Sequence, residues 1–423
     1  MRSLESIIVR DGGDFHVHPQ AGPAMAADRP VAIATPRTAD EVAAVVAHAA
    51  ERGWQVAVHA TGRGVRQTGP LSDTILVRTG GLATVSLDRP AQIARVGGGA
   101  RWSDISAVAA PAGLAAVSIT TPTVGVAGTV LAGGTGWLGR RHGLCCEWLR
   151  AVEIVTADGR LLRADAEHER DLFWALRGGG GGLGVVTAME LALVTPQPLT
   201  AGFLGWPGAR AEEVLHAWRV WTQTLPVEVS TIVRIVGGDH EPRVYVEAVA
   251  LLHAPETDAL LSPMRALSPE DDTFAPAGVG VLDTLHFDVL GERPVYYDHL
   301  MLDDLPEEAL DALLEAAGPG AGFPLLDIEL RQLGGALNER TRGSGALGAL
   351  DAGYGMVVAA DPTAELNARA ICDAVSPWAA GHIFVSFIGA SSVTDDVFTS
   401  DALRRLRAVK ALYDPDDRFV WPL

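Results

Sequence analysis

Three glycine-rich segments constrain this chain more than its size or composition does. The first is His59-Ala60-Thr61-Gly62-Arg63-Gly64, directly after an apolar run. The second is Thr121-Pro122-Thr123-Val124-Gly125-Val126-Ala127-Gly128-Thr129, continuing through Gly133, Gly134, Gly136 and Trp137. The third is Arg177 and five consecutive glycines, then Leu183, Gly184, Val185 and Val186. Glycine loses more conformational freedom on ordering than any other residue. Such runs make sense where backbone packs tightly on backbone, or where backbone N–H groups converge on an extended anionic ligand. Arg63 would add a fork of donors for a phosphate oxygen. The first segment alone also reads as a strand-to-loop turn, and the third as a flexible loop. Together, the first and second point to a phosphate-bearing cofactor. None is the dinucleotide-binding fingerprint, because Gly62-Arg63-Gly64 lacks a third glycine and no helix clearly follows it.

The pattern around these segments is α+β. Thr38 and Glu41 have capping-box spacing, and Val42, Val45, Val46 and Ala49 then fall on one helical face before Gly53. Short strands are expected over 54–58, 74–78, 84–87 and 93–96, with a hairpin over 151–164 turning at Asp158-Gly159. Regular strand–helix alternation, the mark of a doubly wound sheet, is missing. Helices are expected over 306–317 and 401–413. Texture changes at Pro196-Gln197-Pro198, which divides the chain into residues 1–198, 199–391 and a tail, 392–423.

Composition narrows the function classes. A formal charge of −19 repels nucleic acid and anionic lipid, so neither is expected as a partner. The apolar stretches are too short for a membrane span. The start, Met1-Arg2-Ser3-Leu4-Glu5-Ser6, has no basic segment leading into an apolar one, and a cytoplasmic location is expected. Three cysteines, two of them adjacent, fit a reducing compartment, and no metal-ligand spacing occurs.

In order and spacing, these segments resemble the berberine bridge enzyme-like FAD-linked oxidases of the vanillyl-alcohol oxidase and p-cresol methylhydroxylase superfamily. The resemblance is carried by Ala34-Thr35-Pro36 through Gly53, by Thr121 through Gly128, and by Trp137-Leu138-Gly139-Arg140-Arg141-His142-Gly143-Leu144. It continues in Asp171-Leu172-Phe173-Trp174-Ala175-Leu176-Arg177-Gly178 and in Tyr413-Asp414-Pro415 through Phe419. It implies an FAD-binding lobe of two α+β subdomains, 1–198, of the p-cresol methylhydroxylase type, rejoined by the tail. A substrate lobe, 199–391, would cover the flavin with a large antiparallel sheet backed by helices. The cofactor contacts it implies are His59, Ala60, Thr61, Gly62, Arg63, Gly64, Thr121, Thr123, Val124, Gly125, Gly128, Thr129, Gly133, Gly134, Gly136, Trp137, Gly184 and Val186. The diphosphate would run along the first two segments, and the flavin ring would lie between lobes. The implied chemistry is hydride transfer from a small organic substrate, such as a natural-product (secondary-metabolism) intermediate, to the flavin, with O2 a candidate acceptor.

Departures from the family pattern sharpen the cofactor reading. Arg63 stands where many members carry a histidine bonded to the flavin, and Thr121 where many carry a cysteine bonded to it. FAD held noncovalently is therefore expected, with weak binding or loss of FAD as the alternative. A non-redox cyclase or isomerase on the same scaffold is the rival activity. Ser386-Phe387 replaces the family's Asn-Tyr. The candidate catalytic residues are Tyr296, Tyr297, Glu329 and Arg331, within a wider set that includes Asp298, His299, His286, Gln332 and His382. Glu329 and Arg331 alternate on an expected strand over 327–332 and so share a face, whereas only one of Tyr296 and Tyr297 can face a cavity. Glu329 and Arg331 also read as a plain ion pair.

Overall fold

A computed structural model of the chain describes residues 2–9, 29–62, 71–238, 241–287, 291, 293–317, 325–341, 343–384, 386 and 397–420. Among them, three sheets organise the fold. The first contains β1 (Ile8–Val9), β2 (Ala32–Ala34), β4 (Thr74–Arg78) and β3 (Gln55–His59) in that order. The pairs β2–β4 and β3–β4 are parallel, so the 14-residue helix Ala39–Arg52 is a crossover between parallel strands. Thr38 caps this helix, its Oγ1 accepting from Glu41 N at 3.2 Å. The reciprocal half of the capping box is replaced: Glu41 accepts from Arg37 N at 2.7 Å and pairs with Arg2 at 2.8 Å. Val42, Val45, Val46 and Ala49 are fully buried, and Gly53 closes the helix at φ 70°.

The second sheet is antiparallel, with order β5 (Val85–Asp88), β6 (Ile93–Gly97), β9 (Val185–Ala192), β7 (Leu149–Val155) and β8 (Leu161–Asp165). The expected hairpin is β7–β8, with Gly159 at φ 78° in its turn. The third sheet has eight strands, all antiparallel: β10 (Thr200–Pro207), β11 (Val229–Val236), β12 (Arg243–Ala250), β13 (Asp271–Asp272), β14 (Ala275–Pro276), β15 (Tyr296–Leu302), β16 (Leu325–Gln332) and β17 (Tyr354–Ala360). Its order is β13-β10-β12-β11-β16-β17-β15, with β14 also on β10.

One face of this large sheet is apolar and covered by helices. Val233, Val246, Ile328, Leu330, Met356 and Val358 pack there against Trp218, Leu261, Leu310 and Ile371 of four helices. Alternation sends the other set of side chains toward the loops around Val117 and Trp137. There Ala201, Ile232 and Val249 join Val117, Trp137 and Leu138 in one cluster. The C-terminal segment returns to the first sheet, where Val56 N donates to Arg418 O at 2.7 Å and Val420 N to Val56 O at 3.0 Å. Among the described residues, no helix is long and apolar enough to cross a membrane.

Candidate active site

The fold gathers the three glycine segments into one floor. β3 ends at His59, and the turn Ala60-Thr61-Gly62 follows, with Gly62 at φ 80°. Thr61 Oγ1 accepts from Gly125 N at 3.3 Å, joining the first segment to the second. Thr79 Oγ1 lies 3.4 Å from the His59 carbonyl oxygen and 3.1 Å from that of Gly98. Gly98 N donates to Thr187 O at 3.0 Å, which completes the link from the first segment to the third. Gly180 N donates to Leu131 O at 2.8 Å and joins the third segment to the second. Arg63 and Gly64 lie outside the described residues.

Several expected contact residues are already committed to the protein itself. A Cβ at Gly136 would lie 2.2 Å from Ser118 O, at Gly184 2.5 Å from Val155 O, at Gly133 2.6 Å from Leu347 Cδ2, and at Gly134 2.8 Å from Cys145 Sγ. Close packing accounts for these four glycines. Gly134 N donates to Ser386 Oγ at 3.0 Å, and the Thr129 hydroxyl donates to Gly125 O at 2.8 Å. Val186 is buried in β9. Thr121, Thr123 and Val124 form a turn at the protein surface, closed by a Val124 N to Thr121 O bond of 3.3 Å.

Other positions remain open. At Gly128 and Gly181 a Cβ would meet nothing within 4 Å, and neither has a left-handed φ. Gly128 lies in the first turn of the helix Val126–Leu131, where helix geometry leaves the Ala127 and Gly128 N–H groups without acceptors inside the helix. His59 Nε2 is buried with no hydrogen-bond partner among the described residues. Burial, aided by the Arg78 charge, lowers the His59 pKa to about 4, so its ring is neutral at pH 7. Bare backbone, available N–H groups and an unsatisfied imidazole at one floor fit a phosphate-bearing cofactor. Cys145 and Cys146 are buried free thiols whose pKa values burial raises, so neither is a ready nucleophile.

Facing this floor, the large sheet presents an ionic cluster. Arg234 on β11 is opposite Glu329 on β16, and Ile232 is opposite Arg331. Arg234 bonds to Asp327 at 2.6 Å and Glu247 at 3.0 Å. His286 lies between two carboxylates, 2.8 Å from Glu247 through Nδ1 and 3.2 Å from Glu329 through Nε2. Arg331 holds the second oxygen of Glu329 at 2.5 Å and donates at 3.3 Å to Thr120 Oγ1, in the loop that leads into the second glycine segment. Three basic groups thus face three carboxyl groups, and burial, with the Glu329 charge, raises the Asp327 pKa to about 7 even beside Arg234. Burial alone would lower the His286 pKa, but the Glu329 and Glu247 charges outweigh it and raise the value to about 9. Burial also opposes ionisation of Glu329, but Arg331 and His286 together hold its pKa below the usual carboxylate range. Trp137 meets His286 edge-on with ring centroids 6.3 Å apart, and its Nε1 is buried without a partner among the described residues.

The expected catalytic set is only partly brought together. Tyr297, His299, Glu329 and Arg331 share the face toward the glycine floor. Tyr296 does not. Strand alternation turns it into the helix-covered core, where its hydroxyl lies 3.3 Å from Asp298 and 3.1 Å from Arg369. His382 bonds to the carbonyls of Ala380 and Leu350 and serves the backbone. Gln332 donates to Thr222 O at 2.6 Å. Sequence reasoning missed Arg234, Glu247 and Asp327. For Arg234 and Glu247 the available signal was a charge among apolar strand residues, which must find a partner when buried.

A glycine floor under an antiparallel sheet is a two-part site that fits an extended, phosphate-bearing cofactor. Residues 30–165 match the family of FAD binding domains. The chain is 33% identical over 185 residues to (R)-6-hydroxynicotine oxidase of Paenarthrobacter nicotinovorans, covering 44% of this chain and 40% of that protein. It is 34% identical over 208 residues to glucooligosaccharide oxidase of Sarocladium strictum, covering 48% and 42%. It thus spans about two fifths of the length of these curated relatives. In three dimensions it superposes on 6-hydroxy-D-nicotine oxidase from Arthrobacter nicotinovorans with a TM-score of 0.84 at 21% identity, covering 99% and 97% of the two chains. Berberine bridge enzyme from Eschscholzia californica gives 0.82 at 19%, covering 98% and 97%. Residues 30–165 thus form an FAD binding domain with FAD as its cofactor, and the chain as a whole shares the fold of berberine bridge enzyme and 6-hydroxy-D-nicotine oxidase.

Proposed function

We propose that this protein is an FAD-dependent oxidoreductase that takes a hydride from a small organic substrate while holding FAD noncovalently. In this reading residues 1–198 and 392–423 hold the cofactor and residues 199–391 cover the substrate. The observation that carries it is the Arg331–Thr120 contact, which ties the ionic face of the large sheet to the residue just before the second glycine segment. Bound FAD supplies the hydride acceptor and passes electrons onward, with O2 as the acceptor we favour.

The chain's own residues supply position and charge. His286 and Arg331 occupy both oxygens of Glu329, so this carboxylate anchors the Arg331 guanidinium rather than accepting a proton. Arg331, fixed in this way, orients a polar group of the substrate. Tyr297, on the same face, offers a hydroxyl that can receive or pass a proton. Ile232, Val249 and Trp137 exclude water from the wall between the sheets.

The attachment of FAD is tested by denaturing the purified protein in acid and sedimenting it. A yellow supernatant over a colourless pellet is expected. A yellow pellet would overturn the noncovalent reading of Arg63 and Thr121.

A further inference from the structure

Lys410 lies near the end of the helix Ser400–Tyr413, and only 8% of it is exposed. An ammonium has three donors and no acceptor. This one lies 2.9 Å from Gly182 O, 2.8 Å from Phe419 O and 2.5 Å from Asp414 Oδ2, with Asp417 Oδ1 at 3.1 Å. Asp414 in turn accepts from Arg418 N at 2.7 Å and Phe419 N at 2.8 Å. Arg418 and Val420 pair with Val56 of β3, the strand that ends in the first glycine segment. Lys410 is therefore a node joining the tail, β3 and the five-glycine run.

That run needs such a tie. Gly178, Gly180 and Gly182 have φ of 85°, 83° and 85°, and Gly184 has 151°. With no side chains, the run is held through its backbone or not at all. Gly179 N donates to Ala175 O at 3.0 Å and Gly180 N to Leu131 O at 2.8 Å, which fixes the front half. The Lys410 bond to Gly182 O fixes the back half, between open Gly181 and β9.

We propose that Lys410 is a positioning residue for the cofactor: it orders the back of the five-glycine run so that the Gly181 backbone lies against the adenosine half of FAD. This rests on the FAD reading above. With the phosphates on the first two segments and the flavin ring between lobes, the third segment is left for the adenosine.

The test compares wild-type holoenzyme with Lys410→Met and Lys410→Gln. Each protein is stripped of flavin and titrated with FAD and, separately, FMN by fluorescence quenching, and hydrogen exchange is followed over residues 177–186. Lys410→Met should weaken FAD binding by about tenfold or more, the scale of one lost charged hydrogen bond. FMN binding should hold within about twofold, because FMN has no adenosine half to place. Exchange over 177–186 should quicken. Lys410→Gln, which keeps an N–H donor, should show the same FAD-selective loss in smaller degree and serves if the Met variant does not fold. Equal loss of FAD and FMN binding, or unchanged FAD binding in a folded variant, would overturn the proposal. Wild-type protein that binds neither flavin would overturn the cofactor reading itself, and this one with it.

Discussion

Arg234 is among the deepest charges in the large sheet, 1% exposed and amid Ile, Val and Thr neighbours on β11. An uncompensated ion there would be penalised by several kcal/mol, so its environment has to be argued as a unit. Asp327, Glu247 and Glu329 surround it, and His286 and Arg331 offset the carboxylate charge. Replacing Arg234 by Met removes one member and leaves buried carboxylates uncompensated, so urea denaturation should show a loss of about 3–5 kcal/mol. His286 gives a pH signature. Its pKa is raised from 6.5 to about 9 in the folded state. A raised value means that the folded protein binds this proton more tightly than the unfolded chain does. The contribution is therefore complete below pH 6.5 and is lost as the pH climbs through about 9. Nitrogen-15 NMR of histidine-labelled protein should find His286 doubly protonated at pH 7.5, and Glu329→Gln should lower its midpoint. A neutral His286 ring at pH 7.5 would contradict the clamp. His59 should behave oppositely and stay neutral at pH 6, because burial disfavours its charge.

At the scale of elements, local periodicity was a good guide. The helix Ala39–Arg52 follows from its cap, its apolar face and Gly53, and β16 from the alternation of Asp327, Glu329 and Arg331 with Ile328 and Leu330. What the pattern left open was which way each face points. Adjacent tyrosines looked equivalent, yet the register of β15 on β17 sends Tyr296 to the helices and Tyr297 to the other side. Glycines posed the same difficulty, because a packing glycine and a ligand-facing glycine have the same symbol. Gly128 and Gly136 now separate. Gly136→Ala would put a Cβ 2.2 Å from the Ser118 carbonyl and should destabilise the fold by about 1–3 kcal/mol, visible as a lower denaturation midpoint. Gly128→Leu enters open space in a helix, where a better helix former adds up to about 1 kcal/mol. That side chain should nonetheless occupy the space assigned to FAD. Equal or higher melting temperature with weakened FAD retention is expected, and unchanged retention would remove Gly128 from the floor.

Across the whole molecule, the lobes are joined by features that no local pattern announces. Arg140 lies in the segment after Trp137, yet its guanidinium enters the large-sheet region. It donates to Val229 O at 2.7 Å, to Leu225 O and Pro226 O at 3.4 Å each, and closely to Leu333 O. Partners 85 to 193 residues away explain why the sequence, read locally, showed only a basic residue in a family-like motif. The same holds for the site as a whole. Its glycine floor could be read because each segment is contiguous, whereas its ionic wall could not, because β11, β12 and β16 meet only through sheet order. Arg140 fastens these two parts by satisfying several carbonyls that are otherwise turned away from water. Arg140→Met keeps much of the aliphatic stem but strands those acceptors, each penalised by about 1–3 kcal/mol when left unsatisfied in the interior. Partial relaxation and entering water would reduce the sum, so a net loss of about 3 kcal/mol is expected. Lysine should rescue poorly, since one compact ammonium cannot span the fork of carbonyls that a guanidinium does. The decisive measurement is calorimetric. If Arg140 couples the lobes, Arg140→Met should broaden the unfolding endotherm or split it in two, with FAD raising only one component. A single sharp transition shifted downward would mean that Arg140 stabilises the fold without coupling its halves.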